Sequence, residues 1–309
     1  MQKSKKKILA ITGIRSEYDI LFPVLSELRN LEHDLKVVIS GAHLSDNHGN
    51  TWQRIRDDGF DIADKIDSLL ATDRITQRAK GVGILIQGLT QTVEQIDPDC
   101  VIVVGDREES IAAAIVCNYL NKLLVHIGGG DPVFGNADDP IRFAVSKLAH
   151  LHCTTHKEYA ENLINMGEEE FRVFFTGNPA YVNINNTPKI SLENLLKDLN
   201  ISINQKDFIV FIQHPLSSEL DQTERHIKTS LSALKKFSLT NNYITICISP
   251  NSDPGSEIIK ENIFNYQDEK WFFALDRMFH RLMANVQWIS CLLSVHLVPA
   301  SLAVRDIHR

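Results

Sequence analysis

Short apolar runs alternate along the chain with longer segments whose apolar residues recur at helical spacing. The runs at 7–13, 34–41 and 99–106 are rich in Val and Ile and nearly continuous in apolar character. Strands that are buried on both faces of a parallel sheet show this pattern. Because each run is followed by a helical segment, we predict an α/β fold with doubly wound parallel sheets.

A stretch at 179–191 interrupts the alternation, since it is rich in Asn and Pro and has no clear period. The alternation then resumes in strand-like segments at 207–215, 243–250 and 270–275 and in helical segments near 219–237 and 255–265. A chain of 309 residues is also too long for one compact core. We therefore predict two Rossmann-like domains, 1–180 and 181–309.

Composition excludes several partners. The net charge of -7 argues against a nucleic-acid-binding surface. The apolar run after the N-terminal lysines spans only about seven residues, which is short for a signal peptide, and no run reaches the roughly 20 apolar residues of a membrane helix. Five scattered cysteines without a CxxC pair are typical of reduced thiols. We expect a cytoplasmic homo-oligomer that binds neither nucleic acid nor membrane.

Charged residues and histidines collect where the predicted strands end. They are His43, Asp106, Arg107, His126, Asp131 and His214. Right-handed crossovers place the carboxyl ends of parallel strands at one edge of the sheet, and ligands of such sheets bind at that edge. This convergence predicts a binding site or an active site there.

Two of the strand-to-helix turns carry an arginine. Arg15 and Arg107 would lie at helix N-termini, which attract anions, and a guanidinium grips phosphate with a planar fork. The alternatives are that Arg107 is a solvated residue and that Asp106 is a helix N-cap, and we favour a ligand or catalytic role for Asp106. The glycines 128–130 do not fit GxGxxG, so we expect no nicotinamide dinucleotide and interpret them as a close backbone approach to a ligand. His150 and His152 lack partners at metal-ligand spacing, so we expect no metal.

Seven segments, taken in order, resemble motifs of the hydrolysing UDP-N-acetylglucosamine 2-epimerases, including the sialic-acid and legionaminic-acid pathway enzymes. The segments, between about residue 7 and residue 288, are TGIRSEYD, GAHLSDNHGNTW, GDREE, HIGGGD, DDPIRFAVSKLAH, GNP and QHPLSSE. The resemblance implies a fold like that of the two-domain glycosyltransferases, with a nucleotide sugar between the domains. It also implies removal of the C2 proton, elimination of UDP to a 2-acetamidoglycal, and addition of water to release the 2-epimerised sugar.

The resemblance implies roles for individual residues. Asp106 and Asp138 correspond to the acid/base carboxylates, and His43 and Arg142 to active-site residues. The nucleotide-binding residues implied are Arg15, Arg107, His214 and Asn251. Neither a nicotinamide cofactor nor an obligatory metal is implied.

The chain departs from the family pattern at two places. Sialic-acid relatives have HIEGGE, with a catalytic glutamate where this chain has Gly128. We expect Asp131, at the end of the same loop, to substitute for it, and the change suggests a different sugar such as a 2,4-diacetamido-trideoxy hexose. The family also carries a GNSS-type loop and a G-x-R-Q-x-G-R segment after a strand near 285–289, where this chain reads SCLLSVHLVPASLAVRDIHR. We expect a truncated or frameshifted end, an incomplete second domain, a damaged nucleotide site and an exposed sheet edge.

Two alternatives remain at this stage. The first is a glycosyltransferase of the same two-domain build, which would transfer the sugar to an acceptor without exchanging the C2 proton. The second is an inactive remnant that binds a nucleotide sugar, which the altered C-terminal segment favours.

Overall fold

The structure is a computed structural model that contains two compact units, of which the first ends at Asn183 and the second begins at Ile184. It describes residues 4–46, 49–70, 76–133, 138–186, 188, 191–198, 201, 208–216, 218–250, 253–267, 269–275 and 291–295. Of residues 192, 195, 198 and 291–295, it describes the backbone alone.

The first unit is built on a seven-stranded sheet in which every pair of neighbouring strands is parallel. The strands are β1 (Lys7–Thr12), β2 (Asp34–Ser40), β3 (Asp61–Ile66), β4 (Cys100–Val104), β5 (Leu123–Ile127), β6 (Leu151–Thr154) and β7 (Val173–Phe175), and their order in the sheet is β3-β2-β1-β4-β5-β6-β7. The helices are α1 (Arg15–Asn30), α2 (Trp52–Asp57), α3 (Thr76–Ile96), α4 (Glu108–Tyr119), α5 (Asp138–Leu148) and α6 (Lys157–Asn165). Short 3-10 turns occupy Gly41–Leu44 and Glu170–Arg172.

Helices cover both faces of this sheet because successive strand residues point to opposite sides. Leu9 and Ile11 of β1 pack in one apolar cluster with α3, α4 and α5. Ile8 and Ala10 pack in a second cluster with α1 and α2. This two-faced burial explains why the strands read as continuous apolar runs, and it confirms the predicted doubly wound arrangement.

The second unit contains a four-stranded parallel sheet. Its strands are β8 (Phe208–Gln213), β9 (Ile244–Ile248), β10 (Phe272–Leu275) and β11 (Cys291–Val295), in the order β10-β9-β8-β11. The remaining helices are α7 (Ala180–Asn186), α8 (Leu192–Asp198), α9 (Thr223–Asn241) and α10 (Ser256–Phe264), with a 3-10 turn at Leu220–Gln222. Phe208 and Val210 face one apolar cluster, whereas Ile209 and Phe211 face another, so this sheet too is covered on both sides.

Strand β3 and helix α7, which lies in the stretch at 179–191 without a clear period, differ from the sequence pattern. Strand β3 was not predicted, because three of the six residues of DIADKI are charged and they interrupt the apolar run. It is an edge strand beside β2, and an edge strand has only one sheet neighbour to satisfy. The family strand expected near 285–289 lies outside the described residues. Within the described part of the chain, no helix combines the length and the apolar character needed to cross a membrane.

Candidate active site

The strand order of the first sheet reverses between β1 and β4. From β1 the chain leads to α1 on one face of the sheet, and from β4 it leads to α4 on the other face. Such a switch point opens a crevice beyond the carboxyl ends of the two strands, where α/β proteins bind ligands. The two arginines predicted to bind phosphate lie here, since Arg15 is the first residue of α1 and Arg107 is the N-cap of α4.

One arginine joins two of the predicted acids. Arg142 of α5 donates from Nε to Asp106 Oδ2 at 3.0 Å, and its Nη2 donates to the same oxygen. Its Nη1 lies 3.0 Å from Asp131 Oδ2. Burial lowers the pKa of Arg142, but the two carboxylates outweigh burial and the net shift is upward. The guanidinium therefore stays charged and holds two carboxylates on opposite edges of one planar group.

Asp106 is not the N-cap of α4. The cap position belongs to Arg107, whose backbone is extended, and no side chain caps this helix. The Asp106 carboxylate instead accepts hydrogen bonds from Arg142 and is 17% exposed. Of the two interpretations that the sequence left open, this geometry favours the one in which Asp106 serves a site.

Asp138 belongs to a neighbouring ion-pair cluster whose other members, Arg78 and Glu108, were not predicted from the sequence. Arg78 of α3 donates from Nη2 to Asp138 Oδ1 at 2.8 Å and from Nε to Glu108. Burial raises the pKa of Glu108, but Arg107 and Arg78 outweigh it, so the net shift is downward. Because Asp138 and Arg142 are four residues apart in α5, they lie on one face of that helix, and the two clusters adjoin.

The glycine loop after β5 lies close to the backbone of α6. Gly128 and Gly130 have φ values of +82° and +79°, a region that residues with a Cβ rarely adopt. A Cβ on Gly130 would overlap the Tyr159 carbonyl oxygen of α6. The loop leads to Asp131, whose side chain is 34% exposed and hydrogen-bonds to Tyr159. Burial, and then the Asp131 carboxylate, raise the pKa of Tyr159.

Two histidines at the strand ends are fully buried. The ring of His43 contacts Thr12 Oγ1 at 3.0 Å and Thr51 Oγ1 at 2.7 Å. His126 contacts the Gly105 carbonyl oxygen at 2.7 Å and Ser146 Oγ at 3.1 Å. Burial lowers the pKa of each imidazole to about 4, so both are neutral at physiological pH. Both ring nitrogens of each histidine are engaged, which fits a role in fixing the loops.

These lowered pKa values predict an acid-dependent loss of stability. Above pH 6.5 both histidines are neutral in the folded and unfolded chain, and below it the unfolded chain binds their protons more tightly. We expect the free energy of unfolding to fall by about 2 kcal/mol per histidine between pH 7 and pH 5. Urea denaturation of wild type and His126→Asn at both pH values isolates one contribution. His33→Asn, at a partly exposed position, controls for substitution alone, and an equal pH-dependent loss in His126→Asn and wild type would contradict the expectation.

Two predicted nucleotide-binding residues belong to the second part of the chain. His214 directly follows β8, which ends at Gln213, so it occupies the strand-end position that the sequence predicts. Asn251 lies outside the described residues. The structure thus brings Asp106, Asp131 and Arg142 into contact, places Asp138 beside them, and sets Arg15, Arg107 and His43 on the adjoining strand ends.

Comparison with known proteins identifies relatives of this arrangement. A family model described as UDP-N-acetylglucosamine 2-epimerase matches residues 26–290. The GDP/UDP-N,N'-diacetylbacillosamine 2-epimerase (hydrolyzing) of Campylobacter jejuni is 34% identical over 264 residues, which cover 85% of this chain and 67% of that protein. The UDP-N,N'-diacetylbacillosamine 2-epimerase (hydrolyzing) of Legionella pneumophila is also 34% identical, over 85% of this chain and 68% of that protein.

Solved structures share the fold. A UDP-N-acetylglucosamine 2-epimerase structure from Listeria monocytogenes has a TM-score of 0.77 at 18% identity and covers 94% of this chain and 74% of that one. The Methanocaldococcus jannaschii UDP-GlcNAc 2-epimerase, in complex with UDP-GlcNAc and UDP, has a TM-score of 0.76 at 17% identity, over 93% of this chain and 78% of that one. The predicted glycosyltransferase-like fold class is confirmed. The family model spans most of the chain, and the matches at 34% identity cover two thirds of the length of each relative. This chain therefore belongs to the UDP-N-acetylglucosamine 2-epimerase family.

Proposed function

We propose that the chain is a hydrolysing 2-epimerase of a UDP-linked 2-acetamido sugar. The enzyme removes the C2 proton and eliminates UDP, which gives a 2-acetamidoglycal, and water then adds at C1 while a proton returns to C2 on the opposite face. The observation that carries the proposal is the contact of Arg142 with both Asp106 and Asp131 at the switch point of the sheet. This arrangement supplies two carboxylates for proton transfer, as the elimination and the hydration each require.

The cations around these carboxylates suit the leaving group. Arg15 and Arg107 lie at the N-termini of helices of 16 and 12 residues, where backbone N–H groups and the helix dipole add to the guanidinium charge. We assign the diphosphate to them and the nucleotide to His214 and Asn251. We assign acid/base roles to Asp106, Asp131 and Asp138, and a positioning role to His43, which is 0% exposed.

We propose a diacetamido sugar as the preferred substrate. The relatives at 34% identity are named for UDP-N,N'-diacetylbacillosamine, whereas a relative named for UDP-N-acetylglucosamine, from Neisseria meningitidis serogroup B, is 28% identical. A second argument for a different sugar is Gly128, which stands in the sugar-facing loop where the family resemblance implies a glutamate. Family membership also favours an epimerase over a glycosyltransferase of the same build.

Proton NMR in deuterated water tests this function. The chain is incubated with UDP-N-acetylglucosamine, with UDP-N,N'-diacetylbacillosamine and with its GDP analogue. We expect release of UDP and a free sugar that carries deuterium at C2, fastest with the UDP-diacetamido sugar. Absence of nucleotide release from all three substrates would overturn the proposal, and a product that retains its C2 proton would point to glycosyl transfer.

We further propose that the chain acts as a cytoplasmic homo-oligomer. Cys100, Cys117, Cys153 and Cys247 are free thiols, in keeping with a reducing compartment. Light scattering of the purified chain measures its molar mass, and a monomeric mass would contradict the oligomer.

A further inference from the structure

Two buried glutamates lie near the switch point and have no role in the proposed reaction. Glu17 of α1 is 6% exposed and Glu109 of α4 is 5% exposed. Glutamate is rarely buried to this extent unless it is paired or bonded, because removing a carboxylate from water is costly. Their burial therefore calls for a physical role.

The two carboxyl groups join the ends of three strands. Glu17 Oε2 accepts the Gly13 backbone N–H at 2.8 Å, just after β1. Glu109 Oε1 accepts the Ser40 hydroxyl at 3.0 Å, at the end of β2, and Glu109 itself lies in the first turn of α4, just after β4. A Cβ on Gly13 would overlap the Glu109 carboxyl group, and a Cβ on Gly41 would lie 2.6 Å from Glu109 Oε1. Both carboxyl groups thus flank Gly13, two residues before Arg15.

Each carboxyl group keeps one buried oxygen without a hydrogen-bond partner, Oε1 of Glu17 and Oε2 of Glu109. Two ionised carboxylates would leave both oxygens unsatisfied and would repel one another. A single proton gives one group an O–H donor and removes one of the two charges, as in other sites where two carboxyl groups adjoin. One proton on the pair therefore removes the repulsion between the two buried carboxylates and leaves a single buried charge.

The surrounding charges agree with this. Burial is the main cause that raises the pKa of both glutamates. The charge of Glu109 further raises the pKa of Glu17, as does Asp106, and Glu108 raises that of Glu109. Arg107 lowers both, as do the hydrogen bonds from Gly13, from Ser40 and from the Glu109 backbone. Arg107 also pairs with Glu108, so its charge does not offset both buried carboxylates, and the net shift of the pKa of each glutamate is upward.

We propose that Glu17 and Glu109 form a positioning pair that shares one proton and holds the ends of β1, β2 and β4 together, so that Arg15 and Arg107 stay in place for a diphosphate. This inference rests on the proposed function for the identity of the ligand. Loss of the shared proton in alkaline solution places two like charges on either side of Gly13. Repulsion then displaces the turn that carries Arg15 and weakens substrate binding.

Kinetics of Glu17→Gln and Glu109→Gln as a function of pH test the pair. In wild type we expect KM for the UDP-sugar to rise at alkaline pH, by up to about tenfold per pH unit because one proton is lost, while kcat changes less. Each glutamine variant keeps one carboxylate and no like-charged partner, so its alkaline rise in KM should be absent. Glu94→Gln, at an exposed position in α3, should keep the wild-type profile. If KM still rises at alkaline pH in both test variants, the proposal is wrong and the two glutamates serve only in packing.

Infrared spectroscopy separates the pair from the proposed function. A protonated carboxylic acid has a C=O stretch distinct from that of carboxylate, so the wild-type minus variant difference spectrum at neutral pH reports the shared proton. We expect the carboxylic acid band of wild type to be absent from the spectra of both Glu17→Gln and Glu109→Gln. If either variant keeps the band, the proton belongs to a single carboxyl group and is not shared. If wild type releases no UDP, the proposed function fails while this spectrum still decides the pair.

Discussion

Replacing Asp106 with asparagine should lower kcat for UDP release by about 10³-fold, within the range that removal of a general acid or base costs. Asparagine keeps the shape of the side chain and one oxygen toward Arg142, but it can neither accept nor carry the reacting proton. Arg142 retains Asp131 as an ionic partner, so the local structure should persist. KM should change less than kcat, because the diphosphate is assigned to Arg15 and Arg107.

A control variant and a fold measurement make this prediction sharp. Asp61 lies on the edge strand β3 and forms an exposed ion pair with Lys36 of β2, so Asp61→Asn removes the same charge far from the switch point. We expect near wild-type turnover from it, since exposed ion pairs contribute little. Circular dichroism melting should show both variants folded. Turnover of Asp106→Asn within tenfold of wild type, with the fold intact, would remove Asp106 from the chemistry.

The strand-end residues could be predicted because periodicity alone locates the carboxyl edge of a parallel sheet. Asp106, Arg107 and Asp131 follow apolar runs within four residues, and a parallel sheet places such residues at one edge. The same pattern could not show which strand ends are neighbours. The strand order depends on the side of the sheet edge to which each crossover adds its strand, and local sequence does not determine that side.

The partners of those residues could not be predicted, because they come from helix faces. Arg78 lies in the first turn of α3 and Tyr159 in α6, and each reaches the site only through the packing of its helix on the sheet. Glu17 and Glu109 look like ordinary acidic residues in the first turns of helices, where acids favour the helix dipole. Only burial reveals that they face inward, and burial is a property of the tertiary structure.

The backbone conformation at Gly128 disfavours an acidic residue at that position. Its φ of +82° would strain a glutamate by about 1–3 kcal/mol, so a side chain is unfavourable at that position in this loop. Asp131, three residues further on, needs no such conformation and still meets the same arginine as Asp106. The loop thus places a carboxylate on Arg142 without requiring one at Gly128.

This geometry predicts that Asp131→Asn lowers kcat for UDP release by about 10²-fold or more, the lower end of what a general acid or base contributes. The change removes the second carboxylate on Arg142 and leaves Asp106 as the guanidinium's remaining ionic partner of the two. Tyr159→Phe is the matched control, because it removes the hydrogen bond to Asp131 but keeps the carboxylate, and it should cost only a few-fold. UDP release and C2 deuteration of both variants, measured side by side, distinguish the two roles. If both lose activity equally, Asp131 acts through the position of α6, and a carboxylate other than Asp131 must take the place of the glutamate absent at Gly128.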